Sequence, residues 1–218
     1  MVTLSEENYL KAIYHLGKRG SSTVSTNAIA NRMDTKASSV TDMLKKLSDK
    51  RLAHYEKYKG VQLTDEGKQT AIDIIRKHRI WETFLVNKLN FSWDKVHDLA
   101  EQLEHIQSDE LINKLDAFLG HPSHDPHGDP IPDRMGNIQR DQKIILAQVN
   151  AEVICTCVGV KDSSSDFLKY LSKNAIALGT EIEVVSKEPF DDSMIVKIGG
   201  FERTISKEVT QNIYVKFN

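Results

Sequence analysis

The sequence predicts a mainly α chain ending in a small β module, with a winged helix-turn-helix at its front. Three observations predict this. Apolar residues recur at helical spacing behind capping side chains as far as Leu119. A short hairpin pattern follows the third helix. From about residue 143 the period changes to the alternation of half-buried strands.

The elements follow in order. Ser5 caps a first helix with Glu6 and Glu7 in its first turn and Tyr9, Leu10, Ile13 and Leu16 at helical spacing, ended by Gly17 and Gly20. Ser25 caps a short second helix with Ile29 and Met33 inward. A break at Asp34-Thr35 precedes a third, with Val40, Met43, Leu44 and Leu47 on one face. His54–Tyr58 and Val61–Leu63 flank Lys59-Gly60 as a hairpin. Thr64 caps a long helix through Ala71, Ile75, Ile80, Phe84 and Leu89. Ser92 caps the next, past Val96, Leu99, Leu103 and Ile106. Ser108 caps another, with Leu111, Ile112, Leu115 and Leu119, stopped by Gly120. Residues 121–134 hold four of the five prolines and form a linker or an ordered loop. Alternation over 151–160, 181–185, 194–198 and 213–217, with one helix near 166–173, makes the β module. The domains expected are therefore 1–72, 73–140 and 141–218.

The 218 residues are 39% hydrophobic and 28% charged, enough apolar surface for a packed core and against disorder. Cys155 and Cys157 are too close in sequence for a comfortable disulfide, which fits a reducing, cytoplasmic setting. The first residues lack the basic-then-apolar pattern of a signal peptide, and no apolar run approaches the ~18 residues of a membrane span. The formal charge of −2 hides a gradient: residues 1–60 carry +5, 61–140 carry −5 and 141–218 carry −2. A basic first segment suits a polyanion, and an acidic second segment suits cations. Six of the eight histidines lie between His78 and His127.

Two short helices joined by a tight turn and followed by a hairpin make the winged motif. The third helix opens Lys36-Ala37-Ser38-Ser39-Val40-Thr41-Asp42, whose outward positions are small and polar and suit close approach to a DNA groove. Lys36, Lys45, Lys46, Lys57 and Lys59 are placed to contact phosphates.

The acidic segment carries a second pattern. His78 and Glu82 are four apart on one helix face, and His97, Glu101, Glu104 and His105 form one stripe on the next helix. Carboxylate plus imidazole is a borderline-hard donor set suited to Mn²⁺, Fe²⁺, Co²⁺ or Zn²⁺. Enzyme signatures are missing. The residue three before His105 is Gln102, so the Glu-x-x-His of di-iron bundles is not met. The sequence has no Gly-rich phosphate loop, hence no nucleotide cofactor, and no zinc-protease or nucleophile motif.

Several stretches together resemble the diphtheria-toxin-repressor family, which includes iron-dependent repressors and manganese transport regulators. They are Glu7-Asn8-Tyr9-Leu10 with Ile13-Tyr14, Ser38-Ser39-Val40-Thr41, Leu63-Thr64-Asp65-Glu66-Gly67 and Arg76-Lys77-His78-Arg79. Further along come Val96-His97-Asp98, Glu104-His105-Ile106-Gln107-Ser108-Asp109-Glu110 and His127-Gly128-Asp129-Pro130-Ile131-Pro132. The resemblance covers nearly the whole chain. It implies a winged-helix domain, a helical dimerisation domain with the metal sites, and a C-terminal SH3-like (FeoA-like) barrel. It also implies a homodimer that binds a palindromic double-stranded operator when loaded with metal, controlling metal-uptake genes.

By the same resemblance, one metal site falls on Asn8, Glu101, Glu104 and His105, and a second on His78, Glu82 and His97. Streptococcal manganese-responsive members add a Cys before Pro-His-Gly, and that position is Asp125 here. The first-helix ligand is typically Met or Asp, whereas Asn8 offers a neutral amide. Glu101 stands where iron-responsive members carry Cys. A donor set without soft sulfur points to Mn(II) first and Fe(II) next. Asp162 and Asp166, in the region of a barrel-derived ligand, read better as a turn residue and a helix cap. The competing reading is a winged-helix regulator that senses a small organic ligand, its His/Glu cluster being structural. A metalloenzyme fused to a DNA-binding domain is a distant third.

Overall fold

The first helix opens with a reciprocal cap. Glu6 N donates to Thr3 Oγ1 at 3.4 Å, and Thr3 N donates to the Glu6 carboxylate at 2.8 Å. Two backbone donors that the helix cannot satisfy itself are thereby paired. The cap is Thr3 and not Ser5, because only Thr3 has an acid three residues on that reaches back to it. The computed structural model describes residues 2–139 and 141–217. In it α1 spans Leu4–Leu16, α2 Thr26–Arg32 and α3 Ala37–Asp49, followed by the hairpin β1 Ala53–Glu56 and β2 Gly60–Leu63. Ser25 caps α2 through Ala28 N at 3.2 Å. The hairpin pairs Ala53 with Leu63 and Glu56 with Gly60.

Chain contacts divide the molecule into two units. One comprises the chain up to His78 with Glu101–Ile112 and Pro132–Asn137. The other comprises Arg79–Ala100, Asn113–Ile131 and everything from Ile138 onward. The core of the first unit is built from Leu10 and Ile13 of α1, Ile29 of α2, Val40, Leu44 and Leu47 of α3, and Val61 of β2, all fully buried. Each such side chain contributes about 1.5–3 kcal/mol through burial. This packing fixes α3 with its small polar face outward.

A long helix, α4 Asp65–Leu89, follows, with Thr64 Oγ1 accepting from Gly67 N at 3.1 Å. The next helix, α5, spans only His97–Leu103. It begins later than Ser92, whose hydroxyl is engaged by the Asp94 carboxylate. It ends before Glu104, although Leu99, Leu103 and Ile106 keep helical spacing. α6 spans Asp109–Phe118, capped by Ser108 through Leu111 N at 3.2 Å.

In the second unit, β3 Ile144–Ile145, β4 Val153–Val160, β5 Glu181–Lys187, β6 Met194–Ile198, β7 Phe201–Ile205 and β8 Ile213–Phe217 form one antiparallel sheet in the order β3-β8-β4-β5-β6-β7. Two helices, α7 Ser165–Lys173 and α8 Lys207–Thr210, complete the module. Strand β7, which the alternation did not predict, pairs with β6 from Met194↔Ile205 to Ile198↔Phe201 around Gly199-Gly200. Cys155 and Cys157 point inward on β4, and burial pushes both thiols up to about 11, so neither is a thiolate at neutral pH.

The proline-rich stretch up to Ile131 is an ordered loop in this unit. Val160 N donates to His127 O at 2.9 Å, and Lys143 Nζ donates to Gly128 O at 3.0 Å. Gly128 has φ +81°, and a Cβ there would come within 2.1 Å of Val158 O. Only glycine lets the loop lie this close to β4. Among the described residues no helix is long and apolar enough to cross a membrane.

Candidate metal centre

The ligand-type side chains gather into two clusters, one in each unit. In the first, α1 meets the segment after α5. Glu7 Oε2 lies 2.5 Å from His105 Nδ1, and Gln107 Nε2 donates to Glu7 Oε1 at 2.8 Å. Lys11, one turn further along α1, reaches both Glu104 oxygens at 2.6 and 2.9 Å and Glu101 Oε1 at 3.3 Å. His78 Nδ1 lies 2.6 Å from Glu104 Oε2, and His105 Nε2 is 3.8 Å from Glu104 Oε1. The Glu104 side chain is wholly buried. Burial opposes its charge, but the His78 hydrogen bond and the Lys11 ammonium outweigh that and hold its carboxyl below the usual range.

Glu101, Glu104, His105 and His78 thus come together, but not as one helical stripe. The turn after Leu103 carries Glu104 and His105 away from the α5 axis, and these long-range pairings stabilise the break. Asn8 is half-buried on α1, and among the described residues it makes no hydrogen bond to this cluster. The acid from α1 that touches the cluster is Glu7.

The second cluster is more enclosed. Glu82, Asp125 and His127 are all buried, and each offers a donor atom within 4.8 Å of the others. Glu82 Oε2 lies 3.4 Å from His127 Nδ1, and Glu82 Oε1 lies 3.3 Å from Nδ1 of His97, whose side chain is 45% exposed. The Trp93 carbonyl, which can only accept, takes a hydrogen bond from His127 Nε2 at 2.9 Å, and the two rings stack. His127 therefore presents one N–H to Trp93 and the other nitrogen to an acid. Burial disfavours its cation, yet the Glu82 hydrogen bond and the charges of Glu82 and Asp125 push it up to about 9. Asp125 Oδ1 accepts from His127 N at 2.8 Å and Asp129 N at 3.0 Å. Its carboxyl is pushed up to about 6, by burial first and then by the charges of Glu82 and Asp129. Arg79 Nε, 3.5 Å from Asp125 Oδ2, opposes that rise.

Two carboxylates and an imidazole out of solvent form a set that a divalent cation would stabilise, and the oxygen-plus-nitrogen donors suit Mn(II) or Fe(II). His127, Glu7, Lys11 and Gln107 were not singled out from the sequence as site residues. The His-Gly-Asp-Pro stretch around His127 was the one local signal. Asp162 accepts from Ser164 N at 2.8 Å as a turn residue, and Asp166 is exposed beside Lys169. Neither is among the clustered groups of the described residues.

Lys36, the N-cap of α3, and Ala37, Ser38, Ser39, Asp42, Lys45 and Lys46 on it are exposed and Thr41 is half-buried, its Oγ1 donating to Ala37 O at 3.0 Å. Lys57 lies over the Tyr58 ring at the hairpin tip. Lys59 pairs with Glu56 at 2.7 Å, and Lys45 with Asp42 at 3.6 Å. These exposed pairs leave the lysines available to phosphates.

Fold and clusters together define a winged-helix chain with buried carboxylate–imidazole sites. Three domain models match it: the N-terminal DNA-binding domain of iron-dependent repressors over residues 1–61, their metal-binding and dimerisation domain over 64–133, and the FeoA domain over 144–217. A solved manganese-dependent transcriptional repressor in complex with manganese is 33% identical, with a TM-score of 0.84 over 98% of this chain and 100% of that one. The manganese regulator SloR is 31% identical, with a TM-score of 0.74 over 98% of each. The iron-dependent repressor IdeR of Mycobacterium tuberculosis is 32% identical over 126 residues, 58% of this chain and 54% of the relative. That match spans about half the length of the relative. The chain belongs to the diphtheria-toxin-repressor family of metal-dependent transcriptional regulators.

Proposed function

We propose that this chain is a metal-activated repressor that binds a palindromic operator as a homodimer in the cytosol and controls metal-uptake genes. Mn(II) is the favoured activator, with Fe(II) next. The observation that carries the reading is the buried set of Glu82, Asp125 and His127, two acids and an imidazole converging within 4.8 Å. Arg79 and a protonated His127 offset part of the cost of burying the two acids, and a divalent cation would offset more of it. The likeness to manganese-dependent repressors supports the choice of metal.

The residues proposed to hold metal are Glu82, Asp125 and His127 in one set, and Glu101, Glu104 and His105 in the other. His78, His97 and Asn8 are candidate further ligands. A bound metal supplies positive charge and coordinate bonds that replace the internal hydrogen bonds of these sets. Glu7 and Lys11 place the second set against α1 of the winged helix, so the occupancy of that set acts on the segment that carries α3. The segments 1–72, 73–140 and 141–218 are then the DNA-binding, metal-binding and dimerisation, and FeoA-like domains. Switching is a population shift whose size equals the metal's differential affinity for the two states. Small polar residues Ala37, Ser38, Ser39, Thr41 and Asp42 would face the groove, and Lys36, Lys45, Lys46, Lys57 and Lys59 the phosphates.

The test replaces Glu101 and His105 together by Ala and compares operator binding with and without Mn²⁺. The repressor reading requires loss of metal response with the circular dichroism spectrum unchanged. A metal response of unchanged size would remove this set from the switch.

A further inference from the structure

The Glu101 and Glu104 carboxylates already hold a cation of the protein's own. The Lys11 ammonium is within 3.3 Å of three of their oxygens. The Glu104 side chain is wholly buried and that of Lys11 only 14% exposed. This is therefore not a solvated surface pair of small consequence. It is a largely buried ammonium held by the wholly buried Glu104 and by Glu101, whose side chain is 50% exposed, and it ties α1 to the turn after α5. A divalent cation on Glu104 needs oxygens that Lys11 already holds, since the ammonium contacts both of them and one of Glu101. Two cations cannot share them, because like charges at contact distance in a buried setting repel strongly. The flexible four-carbon stem lets the ammonium swing away while α1 stays folded.

We propose that Lys11 is a tethered competitor for metal at the Glu101–Glu104–His105 set. This rests on the metal reading above and adds a regulator to it. Its ammonium holds the two carboxylates when metal is scarce and is expelled when metal fills the set. The apparent affinity for metal is the intrinsic affinity reduced by the fraction of molecules in which Lys11 is out. Lys11 therefore sets the threshold: it raises the metal concentration at which this set responds, without being a ligand. The same tie keeps α1 attached to Glu104 in the metal-free protein, so filling the set exchanges one link for another.

The experiment uses the full chain stripped with chelator and titrated with Mn²⁺, free ion being read by electron paramagnetic resonance. A Glu82→Gln background isolates this set. Lys11→Met keeps the stem and removes the charge, Lys11→Arg keeps the charge, and Lys11→Gln serves as a second neutral variant if Lys11→Met does not fold. The expected result is at least about tenfold tighter Mn²⁺ binding in the neutral variant (~1.4 kcal/mol), no gain with Lys11→Arg, and loss of the gain when Glu101→Gln is added. The metal-free neutral variant should also melt below the parent and recover with Mn²⁺, because Glu104 has lost a buried counter-charge. Equal affinity with and without the Lys11 charge, with Mn²⁺ still bound by the parent, overturns the competitor and leaves the metal reading standing. If the chain with Glu82 intact binds no Mn²⁺ and Lys11→Met creates no binding, the metal reading fails and the competitor with it.

Discussion

Glu82 Oε2 and His127 Nδ1 face one another across 3.4 Å with both side chains out of solvent, while the other ring nitrogen of His127 donates to the Trp93 carbonyl. Both nitrogens are thus directed at acceptors, which is the arrangement of an imidazolium. Its folded pKa of about 9 lies above the ordinary 6.5. A raised pKa contributes stability that is complete below the unfolded value and lost as pH rises through the folded one. The metal-free protein should therefore lose stability between pH 6.5 and 9. Asp125, raised from 3.8 to about 6, adds a loss of the same sign between those values. Denaturant unfolding in chelator at pH 5, 6.5, 7.5 and 9 checks this, and a flat profile above 6.5 would count against the pairing.

A metal held by His127 would have to displace the proton that it shares with Glu82, since a ligating imidazole nitrogen carries none. Mn²⁺ binding at pH 7.5 should release protons, and its affinity should rise with pH across the same window. Calorimetry in buffers of different ionisation enthalpy measures the proton count directly. A count of zero is inconsistent with His127 as a ligand.

Glu82→Gln keeps the shape of the side chain and removes the charge that both His97 and His127 face. It should weaken Mn²⁺ binding at this set more than the ~10–100-fold that losing an outer partner costs. Isothermal titration on chelator-stripped protein reads this, with circular dichroism as the check on folding.

How much of this was legible from sequence varies by element. Ser25, Thr64 and Ser108 cap the helices they were expected to cap, because a cap is a local contact over three residues. The α3 face of Val40, Leu44 and Leu47 was equally readable, since helical periodicity and burial agree there. The end of α5 was not. Leu99, Leu103 and Ile106 continue the period, but the chain leaves the helix at Glu104, whose carboxylate is held by His78 and Lys11 from distant positions. Glu7 and Lys11 were hidden for the same reason, being 98 and 93 residues from their partners. Strand β7 carried a signal in Gly199-Gly200 between two runs, masked by the polar run Glu202-Arg203-Thr204, of which Glu202 and Thr204 are exposed and Arg203 is half-buried.

Gly128→Ala should destabilise the second unit and weaken its metal set together. Left-handed backbone at a non-glycine residue costs about 1–3 kcal/mol. The added Cβ, 2.1 Å from Val158 O, must also push away the loop that carries Asp125 and His127. Thermal melting and Mn²⁺ titration of the same sample test the linkage. Normal metal affinity in a destabilised variant would separate the loop's packing from the site.

On the DNA side, Lys36→Ala and Lys46→Ala remove exposed charges from the N-cap and the last turn of α3. Each should lower operator affinity about equally across sequences and reduce the slope of log affinity against log salt by about 1. A salt titration of wild type and variants decides this, and an unchanged slope would place these lysines away from phosphates.

The most direct test of the central claim is a Mn²⁺ and Fe²⁺ titration of the chelator-stripped protein, anaerobic for iron, read by fluorescence anisotropy on DNA from its own promoter. Metal activation predicts that affinity rises at least about tenfold, or ~1.4 kcal/mol of coupling, with one or both ions. Affinity that stays flat with both ions would contradict it, leaving the winged helix as a DNA-binding unit that these carboxylate–imidazole clusters do not switch.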